Sequence, residues 1–176
     1  SAASATVNVS NAVLEVFNGL NANALLLYGA RGNASNGTIG ELGVDEASRF
    51  SGDNLNLTSV AVGRSSSAII GDSTLESINS YYGSHVDVRD TTVSEQIDVT
   101  DSASMQLSNV TFSGNTIQVF SHGLLNIGGT AKPALSVLKC NNGTVNYDGV
   151  SMINDASASG CMDNGAYNDL RQLLVN

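Results

Sequence analysis

Two neighbouring stretches, "SEQIDVTDSASMQLSN" (Ser94–Asn109) and "GNTIQVFSHGLLNIGG" (Gly114–Gly129), share few identical residues but have the same spacing. In each stretch, an apolar–polar–apolar group is followed by small and polar residues and then by a second apolar–polar–apolar group. Ile97 and Ile117 occupy equivalent places. This alternation is typical of two short strands with one buried and one exposed face.

The same pattern recurs along residues 54–149 with a nearly constant period, which predicts a repeat architecture. Each repeat has four inward positions, two on each strand. Only Ser80 and Lys139 are not apolar among the twenty positions defined in this way. The first strand contributes Val60/Val62, Ile78/Ser80, Ile97/Val99, Ile117/Val119 and Val137/Lys139, and the second contributes Ala68/Ile70, Val86/Val88, Met105/Leu107, Leu125/Ile127 and Val145/Tyr147.

Turn-forming and small residues repeat with the strands. One column has residues that tolerate left-handed backbone, and another has small residues where the chain bends sharply. A looser apolar position predicts a third short strand in each repeat. The three columns are Asp72/Asp90/Asn109/Gly129/Gly149, Ser66/Ser84/Ala103/Gly123/Gly143 and Leu75/Val93/Phe112.

A repeat of about 19 residues with two or three strands predicts an all-β fold, a parallel β-solenoid whose rungs stack about 4.8 Å apart. We expect one domain of about seven or eight rungs over residues 1–176. Its parts are irregular N-terminal rungs or a cap at 1–53, regular rungs at 54–149 and a C-terminal cap at 150–176. In that cap, Tyr167, Leu170, Leu173 and Leu174 have helical spacing and predict a short helix.

The composition agrees with an all-β chain and excludes several partners. Apolar residues make up 41% and charged residues 13%, which argues against disorder. Abundant Asn, Ser, Thr and Gly argue against a helical bundle. A net charge of −9 with only seven Lys and Arg disfavours nucleic acid. No stretch is apolar enough to span a bilayer, so we expect no membrane insertion.

Residues 54–149 resemble right-handed parallel β-helices, particularly those of bacteriophage tailspikes and tail fibres and of autotransporter adhesin passengers. Those families share the rung length and are rich in Asn, Ser, Thr and Gly. The phage resemblance implies a homotrimer in the virion tail that binds, and in some members cleaves, bacterial surface polysaccharide. The passenger resemblance implies a secreted or cell-surface protein that adheres or self-associates. A polysaccharide-degrading enzyme of the same fold is a third reading, so the question of catalysis stays open.

Acidic side chains supply the weak candidates for catalysis. Glu76 and Glu95 each precede the first inward Ile of a rung by two positions, so we expect them to stack. Such pairs serve glycoside hydrolysis or bind Ca²⁺, and they also occur as solvated surface charge. A second acidic group is formed by Asp87, Asp90, Asp98 and Asp101. One interpretation is that it lines a saccharide groove, with Asp87 and Asp98 as acid and base in an enzyme; the alternative is turn residues and solubilising charge.

Aromatic side chains are the preferred candidates for carbohydrate contact because sugars stack on exposed rings. Tyr81 and Tyr82 fall at the connection between the two strands, with Phe120 and His122 lower on the same side. The alternative is that Tyr81 and Phe120 pack inward at a corner. The full predicted carbohydrate-binding set is Tyr81, Tyr82, Asp98, Asp101, Gln118, Phe120 and His122.

Cys140 and Cys161 are separated by about one rung, so a disulfide between them is geometrically reasonable, and free buried thiols are the alternative. Two cysteines alone do not make a zinc site. The sequence has no phosphate-binding loop, dinucleotide fingerprint or metalloprotease motif. We therefore expect no cofactor and no metal.

Overall fold

The computed structural model describes residues 5–129, 138–147 and 150–153. Within these ranges the chain forms sixteen strands and no helix. The strands are β1 (Thr6–Ser10), β2 (Glu15–Asn18), β3 (Asn21–Tyr28), β4 (Arg31–Asp45), β5 (Arg49–Val62), β6 (Ser67–Gly71), β7 (Thr74–Ser80), β8 (His85–Arg89), β9 (Thr92–Val99), β10 (Ser104–Ser108), β11 (Thr111–Phe112), β12 (Thr116–Phe120), β13 (Leu124–Gly128), β14 (Leu138–Asn141), β15 (Thr144–Tyr147) and β16 (Val150–Ile153).

Strands of successive rungs pair in parallel, and the predicted parallel β-helix is confirmed with about seven turns. The rungs lengthen along the chain, since Asn21 pairs with Thr38 near the start and Ile117 with Leu138 near the end. The two stretches that share their spacing meet in β9 and β12, where Ile97 lies beside Ile117. Their common pattern therefore reflects direct stacking in successive rungs.

Each rung has three faces, which we call A, B and C in chain order. Face A contains β2, the first parts of β4 and β5, and β6, β8, β10, β13 and β15. Face B is the short middle segment, where Leu57, Leu75, Val93 and Phe112 follow one another by register. Face C contains β1, β12, β14 and the last parts of β3, β4, β5, β7 and β9. The predicted third strand is therefore confirmed.

The core is a set of ladders of inward side chains inside this coil. Ile78, Ile97 and Ile117 are each at most 1% exposed and stack directly. Ser80 is the polar member of the neighbouring inward column, between Val62 and Val99. It is also buried, and its hydroxyl lies 2.8 Å from the Ser84 hydroxyl. Ser84 in turn donates to the Val62 carbonyl at 2.8 Å, so the buried hydroxyls are paired.

The predicted register is wrong by one residue in the last rung. The structure pairs Ile117 with Leu138, and the inward residues of β14 are Leu138 and Cys140. Lys139 is exposed instead of inward. The rung between β12 and β14 has lengthened, and a strand shifted by one residue turns every side chain to the opposite face.

The N-terminal region is more regular than expected. Parallel register continues to Thr6, so the chain from there to Asp53 forms stacked rungs of nearly constant length. The apolar pattern is hidden in face A because Gly32, Ala34 and Gly52 occupy inward positions there. At the other end, β16 pairs antiparallel with β15, and the predicted helix at 167–174 lies outside the described residues.

The two main corners have different backbone conformations. At the corner between faces A and B, a single left-handed residue turns the chain, with φ between 44° and 69° at Asn36, Asn54, Asp72, Asp90, Asn109 and Gly129. At the corner between faces C and A, two successive residues are left-handed, as at Arg64–Ser65 and Tyr82–Gly83. The predicted turn column is confirmed at its described positions, and Gly149 lies outside them.

Candidate functional site

The corner between faces C and A carries most of the predicted carbohydrate-binding residues. We call Arg64, Tyr81, Tyr82, Asp101, Phe120 and His122 the corner ridge. Tyr82 is left-handed, with φ 51°, and 60% exposed. The Tyr81 ring lies over Gly63, where a β-carbon would overlap it. The two tyrosine rings meet edge to face, with centroids 5.3 Å apart and planes at 75°.

The remaining members of the corner ridge follow in later rungs. Phe120 is in the same outward column as Tyr81, two rungs away, with Thr100 between them. Two rungs correspond to about 10 Å, so the rings of Tyr81 and Phe120 form separate contact points. Tyr81 directly follows β7 and Phe120 ends β12. Both residues are half-buried on the outward side of the coil, and they do not pack into the core. His122 Nε2 lies 3.1 Å from Asn142 Nδ2.

Charges surround the tyrosine end of the corner ridge. Arg64 Nε lies 3.6 Å from Asp45 Oδ2, and Arg64 Nη1 lies 3.3 Å from Glu46 Oε1. Burial raises the pKa of the Tyr81 hydroxyl, Asp45 raises it further, and Arg64 acts in the opposite direction. The phenol is therefore neutral at pH 7 and can both donate and accept a hydrogen bond.

Asp98 and Gln118 are neighbours on face C, in the middle outward column. One oxygen of Asp98 accepts a hydrogen bond from Gln96 Nε2, and the other is buried with no partner among the described residues. Burial raises the pKa of this carboxyl, and the Gln96 hydrogen bond partly offsets the increase.

The second predicted acidic group does not form one cluster. Asp87 is on face A, where it binds Arg89, and this contact raises the pKa of the guanidinium. Asp90 is at the corner between faces A and B and accepts a hydrogen bond from Asn109. Asp98 and Asp101 are on face C and its corner with face A. Only residues one full rung apart stack on each other. These four residues span less than one rung, so their side chains are distributed around the coil.

Glu76 and Glu95 are neighbours in an irregular segment. Leu75 pairs with Val93 and Ser77 with Gln96, so Glu76 lies opposite both Ser94 and Glu95. Both glutamates are exposed, and neither has an ion pair or side-chain hydrogen bond within residues 5–129. The two glutamates therefore lie near each other, but they do not stack in direct register as the sequence predicted.

Cys140 is buried on β14 and takes part in a disulfide. Cys161 lies outside the described residues, so the pairing of the two stays a prediction. In the described ranges, no three His, Cys, Asp or Glu residues are grouped as a metal site would require. Nor does that part of the chain contain a helix with the length and apolarity to cross a membrane.

The structure shows a groove that the sequence reasoning missed. We call it the corner groove: it follows the corner between faces A and B, has a volume of about 520 Å³ and is open to solvent. Three residues from each of four successive rungs line it, which gives a length of about 14 Å along the axis. The lining residues are Gly19–Asn21, Asn36–Thr38, Asn54–Asn56 and Asp72–Thr74.

Side-chain hydrogen bonds along the axis fix the amides of the corner groove. Asn36 Nδ2 donates to Asn18 Oδ1 at 3.1 Å, and Asn54 Nδ2 donates to Asn36 Oδ1 at 2.7 Å. In the adjacent column, Thr74 Oγ1 donates to Asn56 Oδ1 at 3.2 Å. Each amide has two donor hydrogens and two acceptor lone pairs, so these contacts leave capacity for a ligand.

A signal for the corner groove was present in the sequence. Asn36, Asn54 and Asp72 recur at a constant spacing of one rung. Asn18 precedes Asn36 by the same number of residues, but the structure pairs it with Ser35, so Gly19 takes its place in the column. Gly37 marks the floor, because a β-carbon there would overlap the Leu20 carbonyl of the rung below. A search for polar columns at the rung spacing would have found this site.

No protein-family model matches the chain, and neither a curated protein nor a solved structure matches it. The parallel β-helix and the geometry of its surfaces therefore carry the functional interpretation.

Proposed function

We propose that this β-helix is a recognition segment of a bacteriophage tailspike or tail fibre that binds bacterial surface polysaccharide. The observation that carries the proposal is the corner groove, an extended channel of ordered amide and hydroxyl groups. Sugar hydroxyls both donate and accept hydrogen bonds, and amides do the same. A channel that crosses four rungs suits an extended chain more than a compact ligand.

The corner ridge adds apolar contact surface to this polar groove. Tyr82 is 60% exposed and stands beside Tyr81, so ring faces are accessible to a sugar. Rung length and composition support the phage assignment, through the resemblance to tailspike β-helices. In this proposal the protein is a homotrimer located in the virion tail.

Binding to defined glycans tests the proposal at the corner groove. Oligosaccharides prepared from bacterial capsules and O-antigens are titrated into labelled protein and followed by NMR. We expect Asn56→Ala with Thr74→Val to weaken a bound glycan by about tenfold, because each lost neutral hydrogen bond contributes about 0.5–1.5 kcal/mol. The matched control, Asn79→Ala with Thr92→Val, changes exposed residues of the same types outside the groove and should retain affinity.

A Tyr82→Ala variant distinguishes the two surfaces. If this variant loses affinity while the groove variants retain it, the glycan binds at the corner ridge and the groove assignment is wrong. If no glycan from a broad panel binds at millimolar concentration, the recognition proposal is wrong.

Self-association is the second candidate, as in an adhesin passenger. Val13, Leu14 and Val16 are 84%, 54% and 68% exposed in the first described rung, which favours contact between copies. Sedimentation separates the candidates, since a discrete trimer supports the phage proposal and open, concentration-dependent association supports the adhesin. For the enzymatic reading, release of reducing sugar that disappears in Glu95→Gln would establish catalysis at the Glu76/Glu95 pair.

A further inference from the structure

Two arginines occupy neighbouring places on face A, and neither has an acidic partner among residues 5–129. Arg31 pairs by register with Arg49, and both side chains are exposed. The structure has ion pairs for Arg64 and Arg89, but within residues 5–129 no carboxylate lies within salt-bridge distance of Arg31 or Arg49. Like charges directly opposite each other in a sheet are destabilising, so this pair costs folding energy that an anion would offset.

The surroundings of the pair form a shallow pocket of about 340 Å³. Leu14 and Ile69, which are 54% and 47% exposed, stand at two of its sides. Asn33, Ser51 and Ser67 contribute neutral amide and hydroxyl groups between them. Positive charge, small polar groups and exposed apolar carbons thus occur together in one concavity.

We propose that Arg31 and Arg49 bind the carboxylate of an acidic sugar unit in the polysaccharide, which makes the protein selective for acidic glycans. The inference rests on the proposed function, because it names the class of glycan that the protein binds.

The geometry favours a carboxylate held by two guanidinium groups. A guanidinium donates two parallel hydrogen bonds to a carboxylate, and stacked strands place the two arginine backbones about 4.8 Å apart. One carboxylate is therefore within reach of both forks. Leu14 and Ile69 can pack against the C–H face of the sugar ring, and Asn33 and Ser51 can bond its hydroxyls.

The site belongs to the same surface as the corner groove. Asn33 and Ser51 also line a second depression of about 220 Å³, which reaches Ser35 and Asp53. The next residues in the chain after these last two are Asn36 and Asn54 of the groove. The polar depressions thus follow one another across face A, so one polysaccharide can contact the arginines and the groove together.

The test compares an oligogalacturonate with its carboxyl-reduced, neutral counterpart. We expect wild type to bind the acidic form about tenfold or more tightly, since a hydrogen bond to a charged group contributes about 1.5–3 kcal/mol. Arg31→Gln with Arg49→Gln should remove this preference and retain affinity for the neutral form. Arg89→Gln is the matched control because it removes an exposed arginine of the same face, and it should keep the preference.

The arginine side chains provide an independent readout. The Nε–H signals of Arg31 and Arg49 should shift with monomeric galacturonate and not with equal concentrations of sulfate. Thermal unfolding of the double variant should be unchanged or higher, because the repulsion between the two charges is removed.

The outcomes separate this inference from the proposed function. Equal binding of acidic and neutral oligosaccharides overturns the arginine inference and leaves glycan recognition intact. Equal shifts with sulfate overturn the carboxylate assignment. If no oligosaccharide binds but galacturonate shifts the arginine signals, recognition of polysaccharide is wrong and the carboxylate site stands.

Discussion

Replacing Ile97 by alanine tests the stacked core. Ile97 is fully buried between Ile78 and Ile117, each at most 1% exposed. Ile→Ala substitutions in cores cost about 2–5 kcal/mol, and the value grows with the cavity that remains. Backbone pairing on both sides holds the neighbouring rungs in place, so the cavity cannot collapse. We therefore expect a loss of at least about 3.5 kcal/mol, the middle of that range.

Urea unfolding at pH 7, followed by circular dichroism, measures the free energy of unfolding. The matched control is Ile69→Ala, which removes the same atoms from a side chain that is 47% exposed on the outer surface. An exposed substitution of this kind changes stability by about 0.5 kcal/mol or less. Since each rung of a solenoid contacts only its neighbours, hydrogen exchange should accelerate in β7, β9 and β12 before β3.

A loss for Ile97→Ala no larger than that for Ile69→Ala would refute the stacked core. Exchange that accelerates equally in β3 and β12 would show that the unfolding is not local. Either result would contradict the inference that residues one rung apart support each other.

Three further substitutions probe separate features. Ser73→Ala should cost about 1–3 kcal/mol, because the buried Leu55 N–H loses its acceptor, the Ser73 hydroxyl at 3.0 Å. Gly123→Ala should destabilise by about 1–3 kcal/mol, because the new β-carbon would overlap the Val99 carbonyl. Burial raises the pKa of Asp98 above its usual 3.8, so the contribution of this carboxyl to stability is fully present below pH 3.8 and is lost as pH rises through the folded-state pKa. Asp98→Asn should therefore be more stable than wild type at pH 7, and the difference should vanish near pH 3. The matched controls are Ser51→Ala, Gly71→Ala and Asp53→Asn, in the same order. Urea unfolding midpoints measure the stability of every variant, and a variant whose midpoint equals that of its control contradicts the corresponding prediction.

The sequence predicted the core where the inward residues are large and apolar. Val60, Ile78 and Ile97 repeat at nearly constant spacing, and the structure stacks them. The register could not be read where small residues face inward, as at Gly32 and Gly52, because the repeat then lacks the large apolar residues by which it is recognised. It failed by one residue at Lys139 because the length of the preceding rung changed.

The candidate sites depended on the same register. Tyr81 and Phe120 fall within the well-marked rungs, and their shared outward column followed from the repeat. Arg31, Asn36 and Arg49 could not be placed, because they lie in residues 1–53, where the register was not recognised. Asp87 and Asp98 do not meet because they lie less than one rung apart in the chain, so the coil places them on different faces.

The backbone at the corner between faces C and A has an unfavourable conformational energy that packing in the core does not explain. Most of its left-handed residues are not glycine, and each of these costs about 1–2 kcal/mol. Gly83 occupies one such position with φ 69°, so the column accepts glycine. Asp and Ser tolerate this conformation through local hydrogen bonds, but Tyr82 and Arg64, at φ 51° and 42°, gain no such compensation. Tyr82 is 60% exposed and meets only the edge of Tyr81, and Arg64 is exposed with ion pairs to Asp45 and Glu46. An exposed ion pair contributes about 1 kcal/mol or less, which does not exceed the backbone cost. A cost retained at exposed aromatic and basic side chains favours a role in contact with another molecule.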